Sequence, residues 1–180
     1  YILGRIGKEK ALPYIQKAFS HEEPRVKREA IQAMGLTGGP RAVSFLVKAL
    51  SDKDARIRAM AAINLGKMGK TSGLAVLLEI VQSKDFQKKE EGEARAFLEA
   101  IGMGGSNEAL PVLQQILERK SWFARGKMDE VRIGVANALA TIGTPEAKAI
   151  LKKGSQSKDE AIRVACLQAL KMIAPKESTL

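Results

Sequence analysis

One phrase recurs along this chain, and a recurring phrase constrains a fold more than composition can. It runs from an aliphatic residue, usually followed by a basic one, through alanines about four and seven residues on. It then reaches a large apolar residue and closes, usually, on a small one. It reads Val26-Lys27 to Gly35, Ile57-Arg58 to Gly66, Val131-Arg132 to Ala140 and Ile162-Arg163 to Lys171. Glu93-Ala94 to Gly102 fits the same frame with its first two positions changed, and Leu3-Gly4-Arg5-Ile6-Gly7 is the tail of another copy. The closing positions 4, 35, 66, 102, 140 and 171 are spaced 31, 31, 36, 38 and 31 residues apart. The unit is therefore 31 residues, with 5 and then 7 extra residues in two consecutive copies.

A second apolar phrase follows each closing position, as in Ala11-Leu12-Pro13-Tyr14-Ile15, Ala42-Val43-Ser44-Phe45-Leu46 and Ala109-Leu110-Pro111-Val112-Leu113. Both phrases place apolar residues at steps of three and four, the period of one helical face. Thr37-Gly38-Gly39-Pro40, Gly104-Gly105-Ser106-Asn107 and Gly143-Thr144-Pro145 separate them. Such stretches end one helix on a left-handed Gly and start the next on Pro or a capping side chain. Asp54 and Asp159 stand three residues before the aliphatic of the first phrase, where an N-cap carboxylate belongs. Each unit thus reads as two antiparallel helices, A then B.

In helix B, Ala30, Ala61 and Cys166 form a small-residue level broken by Phe97 and Val135, while Met34, Leu65, Ile101, Leu139 and Leu170 fill the core. One pair cannot bury so much apolar face, so neighbours must stack. The expected fold is all-α, a right-handed α-solenoid of antiparallel helix pairs about 31 residues each. The expected organisation is one array over 1–180: a partial repeat 1–7, repeats 8–38, 39–69, 70–105, 106–143 and 144–174, and a tail 175–180. Tyr1-Ile2-Leu3 is apolar where a terminal repeat needs a polar cap, which predicts a fragment of a longer protein.

Composition narrows the chemistry. A single Cys excludes an intrachain disulfide and suits a reducing, cytoplasmic setting. A single His excludes multi-histidine metal and acid–base clusters, and no apolar run approaches the roughly 18 residues of a membrane span. Net charge is +10, from 30 basic and 20 acidic residues. It divides as 12 − 6 = +6 over residues 1–60, 8 − 8 = 0 over 61–120 and 10 − 6 = +4 over 121–180. A nucleic-acid groove keeps its positive potential continuous, and the middle third interrupts it.

Val-Arg-Ile-Gly-Val-Ala-Asn-Ala-Leu-Ala-Thr-Ile-Gly, from Val131 to Gly143, followed by Thr144-Pro145-Glu146-Ala147, resembles the short HEAT-like repeats of phycobilisome bilin lyases, which are common in bacterial proteins. The resemblance covers nearly the whole chain and implies a non-catalytic interaction scaffold, because most such arrays are scaffolds and fold alone does not assign function. It also keeps two alternatives open, a nucleic-acid-binding array with a basic helix-B face and a lyase-type enzyme subunit. HEAT-like DNA glycosylases need aromatics and a carboxylate at the lesion, and helix B offers only Phe97, at a core level. Deoxyhypusine hydroxylase, a HEAT-like enzyme family, holds iron with several His-Glu pairs, whereas His21-Glu22 stands alone and reads as a turn.

The remaining motifs read as architecture. Gly102-Met103-Gly104-Gly105 lacks the Lys-Ser/Thr and preceding strand of a phosphate loop and falls at an inter-repeat turn. Cys166 reads as a buried small residue. The basic column Lys27, Arg58, Arg132 and Arg163 reads as a structural ladder, each cation reaching a carboxylate or turn carbonyl of the adjacent repeat. No cluster calls for a metal or cofactor.

The repeat breaks in two consecutive A–B turns, 83–91 and 120–128, which a solenoid brings to one edge. They hold the only Trp, two of the five Phe and six basic residues. The expected protein-binding site is therefore Phe86, Trp122 and Phe123 as anchors, with Lys88, Lys89, Arg125 and Lys127 steering a partner with an acidic surface.

Overall fold

A computed structural model describes residues 8–69, 71–119 and 125–173, with the backbone alone for 8, 9, 71, 72 and 125–128. The described residues form ten α-helices and two 3₁₀ turns, with no strand among them. The helices alternate as A and B. They pair as α1 (Lys8–Phe19) with α2 (Pro24–Thr37), α3 (Gly39–Ala49) with α4 (Ala55–Met68), and α5 (Thr71–Gln82) with α6 (Glu91–Gly104). The last two pairs are α7 (Leu110–Leu117) with α8 (Arg125–Ile142), and α9 (Pro145–Gly154) with α10 (Glu160–Ile173). The array is an α-solenoid.

Local chemistry sets the helix ends. Pro24 and Pro145 open α2 and α9, where the first turn has no partner for an N–H in any case. The Asp54 carboxylate accepts from the Arg56 N–H at 2.8 Å. Asp159 accepts from the Ala161 and Ile162 N–H groups at 3.1 and 3.3 Å. Gly69 and Gly143 end α4 and α8 at φ +55° and +68°, the left-handed region that a Cβ disfavours.

The two insertions are structured differently from simple longer loops. The first folds as a 3₁₀ turn, Lys84–Lys88, capped by the Ser83 hydroxyl, which accepts from the Phe86 N–H at 3.2 Å. The second ends inside a helix: α8 has 18 residues where α2, α4, α6 and α10 each have 14.

Successive B helices pack on one another almost backbone to backbone. A Cβ placed on Gly102 of α6 would lie 3.0 Å from the Ala138 Cα of α8. Successive A helices touch only sparsely. The B layer is therefore shorter per repeat, and the array curves with the B helices on the inner face. One continuous core runs from Ala11 to Ala169, with Met34, Leu65, Phe97, Ile101 and Leu139 fully buried. Among the described residues no helix is long and apolar enough to cross a membrane.

Candidate interaction edge

The A–B turns share one edge, and the basic column lines it. Lys27 of α2 meets the Asp52 carboxylate of the next turn at 3.5 Å. Arg58 of α4 forms a two-pronged pair with Glu93 of α6, Nε to Oε1 at 2.7 Å and Nη2 to Oε2 at 2.6 Å. Its Nη1 donates to the Asp52 and Lys53 carbonyls at 2.8 and 3.0 Å. Arg132 of α8 is buried and reaches Asp159 at 3.0 Å, Asp129 at 3.4 Å and the Arg119 carbonyl at 3.2 Å. Arg163 of α10 donates to the Ser157 carbonyl at 2.9 Å, within its own turn. Lys27, Arg58 and Arg132 therefore tie three of the repeats to the one that follows, and Arg163 tightens the last turn.

Glu93 explains the irregular third copy. It occupies the column of Val26, Ile57, Val131 and Ile162, yet it is a carboxylate only 4% exposed. Arg58 reaches it from one side and Lys89 from the other. Burial pushes the Glu93 carboxyl up, but the two cations outweigh it and hold the group below its ordinary range. The hydrogen bond to Glu93 likewise raises the Arg58 guanidinium. An acid in an aliphatic column, one repeat after an Arg, is the sequence signal that marks this pair.

The expected binding residues separate. Phe86 was expected as an exposed anchor and is instead 4% exposed, set edge-on to Phe97 with ring centroids 6.4 Å apart. The 3₁₀ turn tucks its ring over the core, so it offers no surface to a partner. Lys89 was expected to steer a partner and is instead committed inward, bound to Glu93 with its ammonium 5.0 Å above the Phe97 ring. Lys88 is exposed and meets the equally exposed Asp85 at 2.7 Å. That contact lowers the Asp85 carboxyl and raises the Lys88 ammonium. Trp122 and Phe123 lie outside the described residues, and for Arg125 and Lys127 only the backbone, in the first turn of α8, is described.

The first long turn reaches the residue that precedes the second. With the Gln87 amide oxygen facing Arg119, it accepts from that guanidinium at 2.9 and 3.2 Å. Gln87 belongs to the first long turn, and Arg119 immediately precedes the second.

The other motifs are structural. The His21 Nδ1 accepts from the Glu23 N–H at 3.1 Å and shapes the α1–α2 turn. Among the described residues no group of three His, Cys, Asp or Glu side chains could hold a metal ion. Cys166 is fully buried, and burial raises its thiol to about 11, so at neutral pH it is neither a nucleophile nor a ready ligand.

A family model of HEAT repeats matches residues 1–53 and 15–94, and one of the PBS lyase HEAT-like repeat matches residues 131–157. No curated protein matches the chain. Among solved structures, human deoxyhypusine hydroxylase in complex with glycerol is similar at 16% identity and a TM-score of 0.51, over 96% of this chain and 99% of that one. The complex of CpcE and CpcF of phycocyanin lyase from Nostoc sp. is similar at 22% identity and a TM-score of 0.58, over 94% of this chain and 66% of that one. At such identities the likeness is one of fold.

Proposed function

The chain belongs to the HEAT-repeat family, and from that premise we propose that it is a non-catalytic scaffold that binds a protein partner with an acidic surface. The partner site is the A–B turn edge, with Trp122 and Phe123 as apolar anchors and Lys88, Arg125 and Lys127 as steering charges. The observation that carries this reading is the Gln87–Arg119 contact at 2.9 Å. It sets the first long turn against Arg119, the residue that leads into the second, which supports reading Lys88 and the Trp122-Phe123 pair as parts of one partner surface. Trp and Arg are over-represented at binding hot spots, and complementary charge speeds encounter.

The ladder weighs against a nucleic-acid reading. Lys27, Arg58, Lys89 and Arg132 already hold carboxylates, so a phosphate backbone would have to displace them. A lyase-type or hydroxylase-type role rests on likeness of fold, and no described side-chain cluster supports it. The buried, unpaired Cys166 thiol supports a reducing, cytoplasmic setting.

The test uses the chain immobilised against native cell extract; the retained protein is identified and titrated against wild type and Trp122→Ala. The expected result is a loss of about 2 kcal/mol or more, about thirtyfold in Kd, with the melting temperature unchanged. Unchanged binding with a stability loss of roughly 3–5 kcal/mol, the cost of truncating a core aromatic, overturns the proposal. Tight heparin retention with a steep salt dependence of DNA binding would move the assignment to nucleic acid.

A further inference from the structure

The inner face carries a second recognition feature, independent of the turn edge. Residues equally far before the closing position stack on neighbouring B helices. Arg95 on α6 and Ile133 on α8 stand seven residues before Gly102 and Ala140, and both line a groove of about 120 Å³ between these helices. Arg28 on α2 and Ala59 on α4 stand seven residues before Gly35 and Gly66, so the same face continues across α4 to α2. Half-buried Met60 and Ile63 on α4 stand six and three residues before Gly66, the levels at which Gly134 and Asn137 line the groove on α8.

Charge on this face is sorted by sign. The helices α2 and α4 present Arg25, Arg28 and Arg56 against Glu29, a balance of 3 − 1 = +2. Among the described side chains, α6 and α8 present Glu91, Glu99 and Glu130 against Arg95, a balance of 1 − 3 = −2. Among the described residues none of these eight side chains joins an ion pair, whereas the ladder cations Lys27, Arg58 and Arg132 do. Arg25 and Arg56 also stand in the first turns of α2 and α4, where a positive charge opposes the helix dipole. Local misfits of this kind concentrate where function uses them.

We propose that the inner face binds an extended segment of a partner protein carrying an acidic block and a basic block. The acidic block lies across Arg25, Arg28 and Arg56, and the basic block across Glu91, Glu99 and Glu130. From α2 to α8 is three helix steps of roughly 8–10 Å each, which about eight or nine extended residues span. One aliphatic side chain beside the basic block fills the groove lined by Leu98, Val131 and Ile133. A uniform polyanion fits poorly, because half of the face repels it.

The probe is a fluorescein-labelled nonapeptide with three Glu, two Gly, one Leu and three Lys in that order, read by fluorescence anisotropy. Its control has the same composition with Glu and Lys alternating. The block peptide is expected to bind at least about tenfold more tightly than the control, and to lose most of that affinity at high salt. Arg25→Glu/Arg28→Glu/Arg56→Glu weakens it by about tenfold or more, and Glu91→Lys/Glu99→Lys/Glu130→Lys does the same. Combining all six restores the charge-dependent part of the affinity, because the peptide then lies in the opposite direction with its Leu away from the groove; a purely structural effect of the substitutions cannot produce that recovery. A circular dichroism melt establishes that each variant is folded. Where a triple variant fails to fold, the single changes Arg56→Glu and Glu130→Lys and their combination run the same cycle at smaller amplitude. Equal binding of block and alternating peptides overturns the proposal, and so does a folded combined variant that stays weak. A ten-nucleotide thymidine strand that binds wild type and binds the Glu-to-Lys variant more tightly still would assign the face to nucleic acid instead.

Discussion

Replacing Gly66 by Ala tests the packing that defines this array. Gly66 closes the phrase of α4, and an added Cβ would lie 2.4 Å from the Ala100 carbonyl oxygen and 2.7 Å from its Cα. Both atoms belong to the α6 backbone, so no side chain can swing aside and the helices must part by about 1 Å to reach ordinary contact. Packed interiors do not compress to absorb such a change, and overpacking costs typically 1–3 kcal/mol. A gap of about 0.5–1 Å forfeits about a quarter to a half of each dispersion contact along the seam. Against this stands the better helix propensity of Ala, about 0.8–1 kcal/mol. The net expectation is a loss of about 2 kcal/mol, or roughly 4–8 °C in Tm for a chain of this size. Gly92 is the control, because a Cβ there meets nothing within 4 Å and Gly92→Ala should gain a few tenths of a kcal/mol. Urea titrations followed by circular dichroism give both values, read from the midpoint at constant slope. If Gly66→Ala is as stable as Gly92→Ala, the backbone seam does not hold the repeats together and the account of the closing residue is wrong.

Glu93→Ala leaves Arg58 and Lys89 without their shared carboxylate and should cost about 2–3 kcal/mol, below the range for fully buried pairs because both cations keep some exposure. Glu93 is held below its ordinary range in the folded chain. Its contribution is therefore present above the unfolded carboxyl value, near pH 4.3, and is lost as pH falls through the folded value; acid titration of stability should be shallower in Glu93→Gln. Cys166, raised to about 11, should resist iodoacetamide at pH 8 in the folded chain and react in urea. Its stabilising contribution is complete below the unfolded thiol value, about 8.5, and is lost as pH rises from there toward 11. Trp122→Ala should weaken the partner and spare the melt, and the paired charge reversals on the inner face should weaken and then restore the block peptide.

Much of the fold is legible in the chain because its causes are local. Asp54 and Asp159 cap helices through N–H groups two or three residues away. The three- and four-residue apolar steps define a helical face wherever they occur. The closing glycines recur because each repeat meets its neighbour at the same level. What lay beyond the sequence were side chains with two satisfactory environments. The ring of Phe86 suits an exposed turn or a pocket, and it was the position of Phe97, in the next helix and eleven residues on, that buried it. Lys89 reads as a surface cation until Glu93 is placed between it and Arg58, 35 residues before Glu93. The helical period and the caps at Asp54 and Asp159 were settled by the sequence itself, since they depend on neighbours along the chain. Which aromatic is core, which lysine is free and how charge sorts across the inner face were decided only by tertiary structure, since they depend on which distant backbone supplies the opposite wall.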